Sequence, residues 1–487
     1  MSAASVSSAT GVDDILARSA AIAPDSTALI ADDVEYTFAQ LDRAAAELAT
    51  RLTPGTRVLA RVGNDAASIV AIHAAWRAGC PVVTASVMVP QAEVDRRASV
   101  TAVSALLNPV SDEGLRVDIT DTGVRTPAPA GEAVVMFTSG TTGTPKGASL
   151  TFAALRGSVA GIAVGNGLPE DGRAPTTPAR DPRIVLVPLA HMGGFLGVLT
   201  AWWLGKPALV VRKFAADKVF DLASRYRLGV IGLTPAMVWE LVQDRSGRSL
   251  PGVDAVIVGT AALPEATRLA FEEKFGVAVQ RNYGQTEFAG AIAFERPQDI
   301  AAGRRPAGTV GRIAPGVEVA ILDADGNEVP TGEVGEIAAR AASAMSGYLG
   351  PDGKPTPVEK WMRTGDLGYL DADGFLFVVG RVRDMIVCGG FNIYPAQVEA
   401  ALNELPEIAD SAVAGIPDDR LGEVPVAAVV LHEGATADSE SIRGVLRSKL
   451  AAYELPRRVV AVDAIPRHDT GKVDRDAVAR LVEGQLS

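Results

Sequence analysis

Between residues 24 and 258 short apolar runs alternate with stretches of helical period, and this rhythm narrows the fold more than any other feature of the chain. Residues 24–33 read as a strand ending in a turn. Thr37 then stands three positions before Gln40. In that arrangement each side chain can satisfy the other residue's backbone N–H at a helix start. Leu41, Ala44, Ala45, Leu48 and Leu52 follow at helical spacing, so the pattern predicts a helix over 38–52. Val58–Val62 reads as a strand, Ala67–Gly79 as a helix closed by its glycine, and Pro81–Val89 as β again. The rhythm recurs at Val134–Phe137, Ile184–Val187, Ala208–Val211, Val230–Ile231 and Val256–Val258. Strands separated by helices pair in parallel and are covered on their faces, so the expected class is α/β.

The texture changes twice further on. From about residue 309 apolar and polar residues alternate, with turn dipeptides such as Asp325-Gly326, which reads as antiparallel β. After Gly380 a second set of signals begins, with an apolar run at Pro425–Leu431 and a helical stretch at Ser439–Ala451. The expected organisation is a large N-terminal domain, residues 1–382, made of two α/β subdomains plus a β-rich subdomain. A small α+β domain, residues 383–487, follows it. Residues 164–182 are dense in glycine and proline and are expected to form an exposed loop.

Composition excludes several classes. A chain of 487 residues is long enough to enclose a deep pocket. Its 46 basic and 58 acidic residues leave a net charge of −12, and no basic domain stands out, which argues against nucleic-acid binding. Two cysteines, Cys80 and Cys388, cannot build a disulfide framework, and the four histidines lack the spacing of a metal cluster. The start of the chain has no basic stretch followed by an apolar run, and no segment of 18 apolar residues occurs. No signal peptide and no membrane span are therefore expected, and the expected location is the cytoplasm.

The chemistry concentrates after the strand Val134–Phe137. Residues 138–147 read Thr-Ser-Gly-Thr-Thr-Gly-Thr-Pro-Lys-Gly: five hydroxyls, three glycines and one lysine in ten residues. Small residues let backbone N–H groups approach phosphate oxygens, while hydroxyls and Lys146 add donors and charge. The order Lys146-Gly147 differs from a Walker A loop, which needs Gly-Lys followed by Ser or Thr.

Five further segments stand in fixed order behind it. They are Tyr283-Gly284-Gln285-Thr286-Glu287, Arg363-Thr364-Gly365-Asp366, Gly380-Arg381-Val382-Arg383-Asp384, Gly389-Gly390-Phe391-Asn392-Ile393-Tyr394-Pro395 and Gly471-Lys472. Together with the loop they resemble the adenylate-forming superfamily of acyl-CoA synthetases, luciferases and peptide-synthetase adenylation domains, most closely the acyl-CoA synthetases. The resemblance spans residues 25 to 478.

It implies an ATP-dependent acid–CoA ligase with ATP, Mg2+ and coenzyme A. A carboxylate attacks the α-phosphorus of ATP to give acyl-AMP and pyrophosphate; a thiol then attacks the acyl carbon and expels AMP. By this resemblance Thr138, Ser139, Gly140, Thr141, Thr142, Gly143 and Lys146 hold the β- and γ-phosphates. Glu287 is the magnesium ligand, and Thr286 lies beside the α-phosphate. Asp366 accepts from both ribose hydroxyls, and Arg381 is a second nucleotide contact. Tyr283 stacks on adenine opposite Gly259, Thr260 and Ala261, with Asn282, Gly284 and Gln285 in the same nucleotide-binding segment. Lys472 is the catalytic lysine of a mobile C-terminal domain that pivots at Arg383. Gly389, Gly390 and Phe391 line the thiol tunnel, and His191 gates it.

The acid is expected to be an apolar monocarboxylate. The lining is read from Met192, Phe195, Leu196, Ala236, Met237, Phe288 and Ala289, nearly all apolar or small. Malonate-activating relatives carry arginine immediately before the Tyr-Gly pair, where this chain has Asn282, with Arg281 one position earlier. Phe152 replaces a histidine common in the family. Two alternatives stay open: an adenylating enzyme that loads a separate carrier protein, and a nucleotide-holding relative without catalysis. A homodimer is also left open.

Overall fold

The computed structural model describes residues 11–110, 114–138, 145–165, 181–467 and 473–484. Among them the strands form four sheets. The first has seven strands. Its centre is parallel, with Val58–Val62 between Val82–Ser86 and Ala105–Pro109, and Glu132–Thr138 beyond Val82–Ser86. Its edges are antiparallel, because Glu132–Thr138 pairs with Lys146–Thr151. The helices Phe38–Ala49 and Ala66–Arg77 form where the sequence pattern places them. Thr37 accepts from the Gln40 N–H while the Gln40 side chain accepts from the Thr37 N–H, so the capping box is complete. Asp65 caps the second helix through the Ser68 N–H.

A nine-stranded sheet carries the rest of the large region. Gly229–Leu233, Val253–Val258 and Ala278–Gln285 pair in parallel. The sheet then continues without a break into antiparallel strands, from Gly290–Phe294 to Val317–Leu322. The β-rich piece is thus an extension of an α/β sheet rather than a separate layer. The third sheet is small and joins Thr27–Ala31 to Ala208–Val210 and Arg183–Val185. Asp32 and Asp33 take left-handed φ values of 51° and 61° and make the turn expected after its first strand.

The fourth sheet is built on the long hairpin Ile408–Asp418 and Gly422–Leu431, with Ile386–Cys388, Phe391–Ile393 and Val459–Ala461. Its core, from Ile386 to Val482, draws only on residues of that segment. The fold is α/β with a large N-terminal part and a small α+β part. Among the described residues no helix is long and apolar enough to cross a membrane.

Candidate active site

The parallel strand Ala278–Gln285 and the single 3-10 turn Thr286–Phe288 that follows it organise the site. Gly284 is required there by close approach: a Cβ at this position would lie 2.0 Å from the Gly290 carbonyl oxygen. The strand can therefore fold back on Gly290–Phe294, bring Tyr283 and Gln285 to bear on one carboxylate and present a second just beyond its end.

The first is Asp366, only 5% exposed. Its Oδ2 accepts from the Tyr283 hydroxyl and from Gln285 Nε2, both at 2.8 Å. Its Oδ1 lies 3.0 Å from Arg381 Nε, the two residues facing each other across paired strands. A buried carboxylate is tolerable only with such compensation, and here a cation and two neutral donors provide it. Burial first, and the Asp366 charge second, push the Tyr283 phenol well above its ordinary pKa, so it stays a donor. The ring packs against the small cores around Ile337 and Phe288. Opposite, Gly259 approaches the Asn282 carbonyl, and exposed Thr260 holds φ +73°. A β-branched residue in the left-handed region is strained, and such strain collects at functional sites.

The second carboxylate is Glu287. Its Oε1 accepts from the Tyr348 hydroxyl at 2.7 Å and from Thr138 Oγ1 at 3.1 Å. Thr138 ends the strand that leads into the hydroxyl-rich loop, so the loop's entrance is tied to Glu287. Lys146 Nζ, at the loop's exit, stands 5.6 Å from the centre of the Tyr348 ring. Burial and the neighbouring Glu287 raise the Tyr348 pKa, which keeps that hydroxyl donating. Among the described residues Glu287 Oε2 has no hydrogen-bond partner. One carboxylate with an uncommitted oxygen, beside a phosphate-type loop, suits a hard cation shared with phosphate oxygens and water. The described residues hold no cluster of three acidic, histidine or cysteine ligands, so any such cation depends on the substrate for most of its ligands. Glu287→Gln keeps the shape but removes the charge. The magnesium concentration for half-maximal pyrophosphate release is expected to rise several-fold with stability unchanged; an unaltered magnesium titration would contradict this.

The other predicted residues fall as follows. Ser139, Gly140, Thr141, Thr142, Gly143 and Lys472 lie outside the described residues. Their neighbours are placed: Arg467 bridges to Val473, and the Asp474 N–H donates to the Pro466 carbonyl at 2.9 Å. Arg475, three positions after Lys472, is anchored to Glu399 at 2.5 Å and to Asp384 at 3.3 Å. Asp384 also meets Arg383 at 3.2 Å, in the short turn Val382–Asp384 that leads into the fourth sheet. His191 is exposed at the N-terminus of the helix Met192–Trp203. Gly389 and Gly390, at φ +58° and +88°, make the two-residue turn between Ile386–Cys388 and Phe391–Ile393. Both positions need left-handed φ, which glycine supplies without a Cβ penalty. Phe391, 55% exposed, stacks on Tyr453 at 4.4 Å.

The structure also shows an open pocket away from the side chains expected around the acid. This pocket, open to solvent, lies between the helix Phe152–Gly165 and the strand Ala278–Gln285. It is lined by Gly157, Gly161, Gln280, Asn282, Phe294 and Ser343, among others. None of the seven side chains expected to line it does so. Met192, Phe195, Leu196, Phe288 and Ala289 are instead spent in buried cores. Asn282, expected in the nucleotide-binding segment, borders this pocket, and its side chain also lies beside Gly259.

Residues 16–349 match the AMP-binding enzyme family, and residues 397–472 match the AMP-binding enzyme C-terminal domain. An indoleacetate–CoA ligase of Aromatoleum aromaticum is 38% identical, covering 72% of this chain and 67% of its own. A sulfoacetate–CoA ligase of Cupriavidus necator is 35% identical with the same coverage, 72% and 67%. The o-succinylbenzoate CoA synthetase of Bacillus subtilis, solved with its acyl-adenylate intermediate, superposes with a TM-score of 0.82. It shares 26% identity over 96% of this chain and 97% of its own. The same enzyme is also known with ATP and a magnesium ion, at a TM-score of 0.81 and 26% identity, covering 95% and 98% of the two chains. The chain belongs to the AMP-binding enzyme family, in the acyl-CoA synthetase branch of the adenylate-forming superfamily.

Proposed function

We propose that the chain is an AMP-forming acid–CoA ligase acting on a monocarboxylic acid with a bulky, largely apolar body. One observation carries the reading. A single strand ends between two prepared carboxylates, Asp366 and Glu287, while residues of the same strand line the open pocket. Nucleotide and acid can therefore meet at Gly284.

Asp366, held with both oxygens oriented, is the acceptor for the ribose diol, and Arg381 pairs with its Oδ1. Tyr283 and Gln285 orient Asp366, and the Tyr283 ring also borders the adenine beside Gly259, Thr260 and Ala261. Thr138 and Lys146, with the sequence between them, would hold the phosphates, and Thr286 would serve the α-phosphate. Glu287 would hold magnesium, which supplies charge neutralisation on the polyphosphate when bound. Lys472 would bridge the attacking carboxylate and the α-phosphate.

The separate core from Ile386 to Val482 supports a division near residues 382 and 383, with Arg383 and Asp384 at the pivot. After rotation about that pivot, the Gly389–Gly390 turn and Phe391 would line the thiol path, with His191 between it and the acyl group.

The relatives' named acids range from sulfoacetate to indoleacetate, so size is taken from the pocket itself. Ile162, Ile257, Phe294 and Val317 give it apolar walls, and burying each methylene stabilises by about 0.8 kcal/mol. The test is a size series of aliphatic and aromatic monocarboxylates, beside malonate, succinate and amino acids. Acid-dependent pyrophosphate release is scored with and without CoA. Release should rise with hydrocarbon size to an optimum, and AMP turnover should need CoA. A preference for malonate or an amino acid would overturn the substrate reading; turnover only with a carrier protein would overturn the thiol.

A further inference from the structure

The strand Ala278–Gln285 alternates its side chains between two environments. Val279 enters the core behind the strand, Arg281 a buried ion network, and Tyr283 the Asp366 node. Gln280 and Asn282 fall on the opposite face, two residues apart, and both line the acid pocket.

Both amides are short of partners. Gln280 is 7% exposed overall; among the described residues no hydrogen bond reaches its side chain, whose polar atoms keep some access to the pocket space. Asn282 Oδ1 is fully buried and likewise lacks a partner among the described residues. Leaving buried amides unpaired is costly, so such groups ordinarily serve an interaction. Ile162, Ile257, Phe294 and Val317 make much of the neighbouring wall apolar, and Arg281 and Ser343 border the same pocket. Ser158, another wall residue, spends its hydroxyl on the Ala289 carbonyl at 2.5 Å.

Charge in the pocket is already balanced. Arg281 is paired with Glu265 at 3.2 Å and Glu295 at 3.3 Å. Arg305 meets Glu272 and Glu295, both at 2.8 Å, and Arg268 meets Glu265 and Glu272. Three cations and three carboxylates give 3 − 3 = 0, so the network leaves no charge to receive a second carboxylate or an ammonium.

Space is provided on the facing helix by Gly157 and Gly161, one turn apart. Glycine inside a helix costs about 1 kcal/mol relative to alanine, so two together mark room that is kept open. Gln280 lies four residues before Gly284, roughly 13 Å along the strand. It therefore addresses the end of the acid far from its carboxylate.

We propose that this enzyme selects acids whose far end carries a neutral hydrogen-bonding group, such as a hydroxyl, a carbonyl or a ring N–H, read by Gln280 and Asn282. An amide offers both a carbonyl acceptor and N–H donors, so either polarity is served, and a hydroxyl serves both at once. Among the described lining residues the cation Arg281 is already paired with Glu265 and Glu295, so a second carboxylate meets charge that is committed elsewhere. The inference rests on the acid–CoA ligase reading and deepens it.

The experiment compares matched arylpropionic acids that differ only at the para position: hydroxyl, methyl or carboxyl. The readout is kcat/KM for acid-dependent pyrophosphate release by the wild type and by Gln280→Leu. The wild type should favour hydroxyl over methyl by roughly 10- to 100-fold and reject the carboxyl acid. Gln280→Leu should lose most of that preference, chiefly through KM for the hydroxyl acid, while the methyl acid changes less than about threefold. Equal wild-type rates for hydroxyl and methyl, or an equal loss for both acids in the variant, would overturn the inference. The wild-type comparison decides the matter even if the variant does not fold. Pyrophosphate release without a hydroxyl preference would sink this inference alone, whereas no release with any acid would sink the ligase reading beneath it.

Discussion

Lys472→Ala lowers acyl-AMP formation by roughly 100- to 1,000-fold, the usual effect of removing one charge contact from a transition state. The reason is electrostatic. The first half-reaction brings a carboxylate against a phosphate, and two such charges 4 Å apart repel by about 4 kcal/mol at a protein surface. An ammonium between them removes that penalty where it is greatest. In the second half-reaction a thiol attacks a mixed anhydride and AMP leaves, so the same contact is no longer needed. Thioester formation from supplied acyl-AMP should therefore change less than about threefold. Folding should be unaffected, because the segment is anchored three positions later by Arg475 on Glu399 and Asp384. Single-turnover assays of each half-reaction check this; an equal loss in both would contradict a lysine that serves adenylation alone.

Glu132→Ala should destabilise the fold by about 3–5 kcal/mol, the range for breaking a buried ion pair by removing one partner. Arg57 and Glu132 are 4% and 1% exposed and meet through two contacts, at 2.6 and 2.9 Å. Ser149 Oγ donates to Glu132 at 2.6 Å, and Arg57 Nη1 donates to the Gly353 carbonyl at 2.8 Å. The variant would leave a buried guanidinium and a buried hydroxyl without their acceptor. The pair joins the strands Val58–Val62, Glu132–Thr138 and Lys146–Thr151 to the segment around Gly353, close to Tyr348 and Glu287. The KM for ATP should therefore rise as well. Denaturant titration measures the loss, and Arg57→Met with Glu132→Leu should recover most of it. A loss below about 1 kcal/mol for Glu132→Ala would contradict this account of the core.

The sequence made some of these features plain and hid others, for physical reasons. Local patterns carried well: the Thr37–Gln40 capping box formed, and the strand Val58–Val62 has the expected limits. The helix expected to end at Gly79 stops at Arg77, and Gly79 takes the left-handed turn that follows. What depends on distant pairing was hidden. Tyr348 meets Glu287 from 61 residues away and belongs to no motif. Arg475 was missed because no local pattern links it to Glu399, 76 positions away. Phe152 gave no signal from sequence; it packs edge-on against Trp76 at 5.3 Å and serves the core. The side chains expected around the acid do not border that pocket, for a related reason. Apolar character marks Met192 and Phe288 as buried, but it does not say whether they face a core or a cavity. Gln280 and Asn282 were overlooked as pocket residues because only the alternation of a placed strand shows which face they share.

The direct attack of a substrate carboxylate on the α-phosphorus is the central claim, and isotope transfer tests it most directly. An accepted acid labelled with 18O in both carboxylate oxygens is turned over with ATP, Mg2+ and CoA. The oxygen that forms the C–O–P bridge stays on phosphorus when the thiol expels the nucleotide. AMP should therefore carry one 18O per turnover, the thioester the other, and pyrophosphate none. Label in pyrophosphate or inorganic phosphate, with none in AMP, would show attack at another phosphorus and contradict the adenylation mechanism.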